Sequence, residues 1–113
     1  LVNFDQDYGH RRDAIGYAQA LESFDQRLPE IFAQMNEDDM LFLTADHGCD
    51  PTWPGSDHTR EYVPLLCYHH NIASVNLGKR ATFADLGQTL SAFFKVEKMA
   101  YGSSFLSKLD FKS

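Results

Sequence analysis

The chain has 113 residues, of which 43% are hydrophobic, enough for a single domain with a modest core. Its 16 acidic and 10 basic residues leave a net charge of -6, the wrong sign for broad contact with a phosphate backbone, so nucleic acid is not expected as a partner. No apolar run reaches the roughly 18 residues of a membrane span, and the two cysteines, Cys49 and Cys67, form neither a Cys-x-x-Cys pair nor a secreted disulfide framework, which points to reduced thiols in the cytoplasm.

The chain opens on Leu1-Val2-Asn3-Phe4, which reads as a strand already under way, so the sequence is expected to be a piece of a longer protein. From Ala14 to Met35, Tyr17, Leu21, Phe24, Leu28, Ile31 and Met35 recur at steps of four and three, the one-face pattern of an amphipathic helix, with Asp13 as its N-cap. Pro29 lies inside this pattern and predicts a kink, because proline lacks an N–H and crowds the preceding turn. Met40 to Thr44 is continuously apolar, as a central parallel strand buried on both faces would be, and Val63 to Tyr68 predicts another strand. After a loop over His69 to Gly78, Thr82 can cap a helix from about Phe83 to Phe94 carrying Phe83, Leu86, Leu90, Phe93 and Phe94. The tail beyond Lys95 gives a weak indication of a short terminal helix, and no internal domain boundary is visible. Strands alternating with helices in this order predict an α/β sheet, in which ligands sit beyond the carboxyl ends of the strands.

Two segments at such strand ends concentrate metal-ligand side chains: Asp5 to His10, and Thr44 to Glu61. Asp5, His10, Asp46, His47 and His58 supply carboxylate oxygen and imidazole nitrogen, a donor set suited to zinc, manganese or iron(II). Five ligands exceed one tetrahedral site, so the pattern suggests an incomplete pair of metals. Gly9 and Gly48, beside His10 and His47, would let the backbone approach a bound group. The alternative is that Asp46 and His47 cap a turn while Asp5 and His10 form an exposed polar loop. Arg11, Arg12 and Arg60 could fork onto a phosphate, or pair with Asp13, Asp57 and Glu61. Cys49 is expected to be a small packed residue, Trp53 between two prolines a packing anchor, Lys79 and Arg80 a solvated turn, and His69 and His70 lie outside the site.

These residues carry a family resemblance. Tyr8-Gly9-His10-Arg11-Arg12, Thr44 to Pro51, Asp50-Pro51-Thr52-Trp53, Asp57-His58-Thr59-Arg60-Glu61 and Phe83-Ala84-Asp85-Leu86-Gly87 together resemble the C-terminal core of the bacterial phosphopentomutases. Thr44-Ala45-Asp46-His47-Gly48 alone would mark only the wider alkaline phosphatase superfamily. The resemblance implies a three-layer α/β/α sandwich of the alkaline phosphatase-like type, of which residues 1–113 would be the C-terminal segment of the metal-binding core. The N-terminal core and the cap domain would lie outside the chain. It implies two Mn2+ ions, with Asp5, His10 and His58 matching the ligands of one and Asp46 and His47 part of the set for the other. Ribose or deoxyribose 1-phosphate and 5-phosphate would be interconverted, with an activating sugar bisphosphate, through a phosphothreonine that matches none of Thr44, Thr52 or Thr59. Asn3, Asp7 and the connection from His69 to Asn76 depart from the family pattern without touching the five ligand positions. The competing readings are a metal-dependent phosphatase or phosphodiesterase, a phosphoglycerate mutase-like enzyme of the same superfamily, and a catalytically inactive fragment.

Overall fold

The computed structural model describes residues 4–56 and 60–111, and of Asp5 the backbone alone. The chain divides into two compact units, residues 1–69 and 70–113, where the sequence shows no boundary.

The first unit begins with a π-helical turn, Phe4–Gly9. The strand expected at residues 1–4 therefore lies mostly outside the described residues, and its last member, Phe4, already belongs to this turn. Helix α1 runs from Ala14 to Gln34. Its N-cap is Asp13, whose carboxylate accepts the Gly16 N–H at 2.9 Å, satisfying one of the amide groups that a helix start leaves unpaired. Pro29 lies inside α1 and does not divide it into two helices. The expected apolar stripe faces inward only in part: Tyr17, Phe24 and Leu28 are half-buried, whereas Leu21 is 50% exposed. Phe4 packs against this stripe, 5.8 Å from the Tyr17 ring and edge-on to Phe24.

Strands β1, Leu41–Thr44, and β2, Leu65–Tyr68, form a two-stranded antiparallel ladder with Leu41 opposite Tyr68 and Thr44 opposite Leu65. This corrects the expectation of a central parallel strand. Hydrophobicity along a strand reports how much is buried, not the direction of its neighbour, and neither strand is buried on both faces: Leu66 is 59% exposed. The ladder is tied to α1 by Phe32 stacked on Tyr68, with ring centroids 4.1 Å apart, an aromatic contact worth about 1 kcal/mol beyond its burial. Leu28, Phe32, Leu41, Leu43 and Leu66 line an apolar groove of about 140 Å³.

The second unit is built around helix α2, Ala84–Phe93, close to its expected span. Thr82 accepts the Ala84 N–H on its hydroxyl at 3.2 Å, although Phe83 occupies the cap position. The face of α2 that is buried is polar: Asp85, Gln88, Thr89 and Ser91. Gln88 donates to the carbonyls of Met99 and Tyr101 and accepts the Met99 N–H. Thr89 donates to the Asp85 carbonyl and accepts the Phe105 N–H. These bonds hold the segment 99–105 along α2 and bury Phe105 completely. Arg80, expected in a solvated turn, instead bonds the Asp85 carboxylate at 2.8 Å and sits 5.5 Å above the Phe105 ring. A 3-10 turn, Leu106–Lys108, and a bridge between Ile72 and Phe111 complete the unit.

Candidate metal centre

At the carboxyl end of β1 the chain passes through Ala45 into Asp46-His47-Gly48. The Asp46 side chain is 90% exposed and that of His47 26%, so the pair presents one solvent-facing carboxylate beside a half-sheltered imidazole. Oδ1 of Asp46 lies 3.5 Å from Nε2 of His47. Two donors bound to one ion at bond lengths of about 2.1 Å in tetrahedral geometry would be separated by about 3.4 Å. The spacing of this pair thus fits a shared divalent cation.

His47 Nδ1 is 2.9 Å from the Gly48 carbonyl. A carbonyl only accepts, so Nδ1 carries a proton, and Nε2 is the nitrogen on the Asp46 side. His10 repeats this arrangement, with Nδ1 donating to the carbonyl of Ser56. Histidines that hold metals characteristically place the second ring nitrogen on a carbonyl or carboxylate, which fixes the tautomer and orients the ring.

The loop after β1 is folded tightly against its own return. Gly48 is buried, and a Cβ built on it would fall 2.6 Å from both N and O of Glu61, so only glycine permits this approach. Asp50 closes the next turn: its carboxylate accepts the Thr52 hydroxyl and the Thr52 N–H, and its carbonyl accepts the Trp53 N–H. The Thr52 hydroxyl bond, followed by the Thr52 amide, holds the Asp50 carboxyl below the usual carboxylate range, with desolvation opposing and Arg12 assisting. Trp53 does not anchor this loop by packing, being 62% exposed; the turn bonds shape it instead. Cys49 and Cys67 are free thiols, and burial raises the pKa of Cys67.

Arg12 ties the two candidate segments together. Its Nε donates to the Gly55 carbonyl at 2.5 Å and its NH1 to the Asp50 carbonyl at 2.8 Å, with Cys49 Sγ at 3.9 Å. The guanidinium thus serves the backbone of the loop, in addition to the phosphate or carboxylate partners, Asp13, Asp57 and Glu61, that the sequence suggested for the arginines, of which Asp57 lies outside the described residues. Nothing adjacent in sequence announces a bond to carbonyls about 40 residues away, and only the tertiary fold reveals it.

Of the five expected ligands, the structure sets Asp46 and His47 side by side and bonds His10 to the same loop. The side chain of Asp5 and all of His58 lie outside the described residues. Among the described residues no group of three or more His, Cys, Asp or Glu side chains is gathered closely enough to hold an ion, and the described part of the expected donor set is the Asp46–His47 pair with His10 bonded to the same loop.

The structure is a mixed helix and strand chain with a carboxylate and an imidazole beyond a strand end, and residues 1–98 match the metalloenzyme superfamily. The chain belongs to that superfamily. Within it, the chain is similar to the phosphopentomutase of Colwellia psychrerythraea, 69% identical over 109 residues that make up 96% of this chain and 27% of that protein. It is similar also to the phosphopentomutases of Aliivibrio fischeri and Vibrio cholerae, each 63% identical over 106 residues, 94% of this chain and 26% of theirs. The resemblance drawn from the motifs is borne out, and the chain spans about a quarter of the length of these curated relatives.

Proposed function

We propose that the chain is the C-terminal part of the core of a phosphopentomutase, an isomerase that interconverts ribose or deoxyribose 1-phosphate and 5-phosphate in cytoplasmic nucleoside salvage. The observation that carries this reading is the 69% identity to a phosphopentomutase along 96% of the chain. In the whole protein the segment would complete a three-layer α/β/α sandwich. Asp5, His10 and His58 would hold one Mn2+ ion, and Asp46 and His47 would contribute to a second. When bound, such ions neutralise charge on phosphoryl oxygens.

The residues of this chain orient the donors. The Gly48 and Ser56 carbonyls fix the His47 and His10 rings, and the Asp46 carboxylate is exposed to solvent. The phosphoryl group would be carried by a threonine outside these 113 residues, with a sugar bisphosphate as activator.

The test is phosphorus NMR on the full-length protein with Mn2+, ribose 1-phosphate and a catalytic amount of sugar bisphosphate. Ribose 5-phosphate is expected to accumulate without free phosphate. Rapid release of inorganic phosphate with no isomer would overturn the mutase reading in favour of a phosphatase of the same superfamily.

A further inference from the structure

We infer that Arg12 is a positioning residue: its guanidinium clamps the loop carrying Asp46 and His47 to the turn carrying His10, and so sets the spacing between the two halves of the candidate metal centre. The inference deepens the function proposed above and rests on it for the metal.

Three observations converge on Arg12. The first is its reach, since Nε and NH1 of one planar fork are bound to Gly55 and Asp50, carbonyls at two separate points of the loop. A planar fork loses little freedom on forming a second bond, so it fixes orientation as well as distance. The second is the backbone. Arg12 has φ of 54°, a left-handed conformation that a side chain other than Gly, Asn or Asp adopts at a cost of about 1 kcal/mol or more. That conformation is held in the turn after Gly9, where the Arg12 N–H bonds the Gly9 carbonyl at 3.1 Å and the next amide, that of Asp13, bonds the Tyr8 carbonyl at 2.9 Å.

The third observation is what the same turn and loop carry. His10, two residues before Arg12, bonds the carbonyl of Ser56, adjacent to Gly55. The loop is therefore gripped at consecutive carbonyls by the imidazole and the guanidinium. The imidazole bond orients a candidate ligand, and the guanidinium bonds hold in place the carbonyl track on which that orientation depends. Asp50 is the other grip, and its own turn lies three residues beyond His47. Displacing the fork would leave His10 on a mobile acceptor and free the segment that fixes Asp46 and His47.

Arg12→Asn tests this, because asparagine tolerates the left-handed backbone and removes the fork. Hydrogen exchange by mass spectrometry on the full-length protein reads the loop, and calorimetric Mn2+ titration reads the centre. The variant is expected to melt near the wild-type temperature, to lose protection at residues 49–56, and to bind Mn2+ roughly 10- to 100-fold more weakly, the usual loss when the support of a ligand is removed. Arg12→Lys, which keeps the charge but cannot span both carbonyls, is expected to lose protection and affinity to an intermediate degree.

Wild-type loop protection in Arg12→Asn overturns the clamp whatever the metal does. A freed loop with unchanged Mn2+ affinity overturns the positioning role, as does an Arg12→Lys variant indistinguishable from wild type. A wild-type protein that takes up no Mn2+ while the variant loop is freed counts against the proposed function and supports the clamp.

Discussion

Gly48 illustrates how a single residue sets the shape of the candidate centre. The sequence marks it as a place where backbone could approach a bound group, and the structure shows that the approaching group is the chain's own backbone at Glu61. A methyl group there would meet main-chain N and O at 2.6 Å, and main chain cannot rotate away as a flexible side chain can. Gly48→Ala is therefore expected to destabilise the protein by about 1–3 kcal/mol, the usual cost of overpacking, and to part the loop from its return. Urea denaturation of wild type and variant measures the first effect, and an unchanged midpoint would show that the loop adjusts at no cost. The adjacent His47 stands out in the sequence by its residue type and its place after an apolar strand. The partners that orient its ring and the bonds made by Arg12 do not, because they depend on carbonyls that every residue possesses.

At the scale of elements, periodicity located α1 almost to the residue and placed its Asp13 cap, since helix spacing and cap chemistry are both local. It located α2 equally well but misjudged which face would be covered. Of the expected stripe of Phe83, Leu86, Leu90, Phe93 and Phe94, Leu86 is half-buried, yet each of the other four is between 38% and 67% exposed, while Asp85 is 3% exposed. A stripe shows where apolar side chains point, whereas burial depends on the partner. Here the partner is the stretch 99–105, which offers α2 backbone groups to bond as well as the buried Phe105 side chain.

The Asp85 carboxyl is held below its ordinary range chiefly by the Ser103 N–H, with desolvation opposing and Arg80 assisting. A carboxyl whose pKa is lower folded than unfolded stabilises the fold above the unfolded value of about 3.9 and loses that contribution as pH falls through the folded value. Asp85→Asn is accordingly expected to cost about 1–3 kcal/mol at pH 7, with the gap to wild type narrowing below about pH 4. Denaturant midpoints at pH 7 and pH 3 check this, and a gap that stays constant would exclude the carboxylate charge as its source.

For the whole molecule, the family was legible because its motifs are contiguous runs, and α/β composition followed from them. The division at residue 69 and the antiparallel ladder were not legible, because both depend on which strands are neighbours in space. The same limit bears on activity. The 113 residues span about a quarter of the length of the phosphopentomutases they match, and the proposed function assigns the phosphorylated threonine to none of Thr44, Thr52 or Thr59. Metal ligands without a nucleophile can bind and polarise a phosphoryl group, but two half reactions that pass the group through the enzyme require a side chain to carry it. The polypeptide of residues 1–113 on its own is therefore expected to give no interconversion of ribose 1-phosphate and 5-phosphate with Mn2+ and bisphosphate present, under conditions in which the full-length protein turns over. A coupled assay on a mass-verified sample decides the matter. Turnover by the 113 residues that is lost on replacing one of the three threonines with valine would place the nucleophile within this chain and overturn the assignment of that role to a residue outside it.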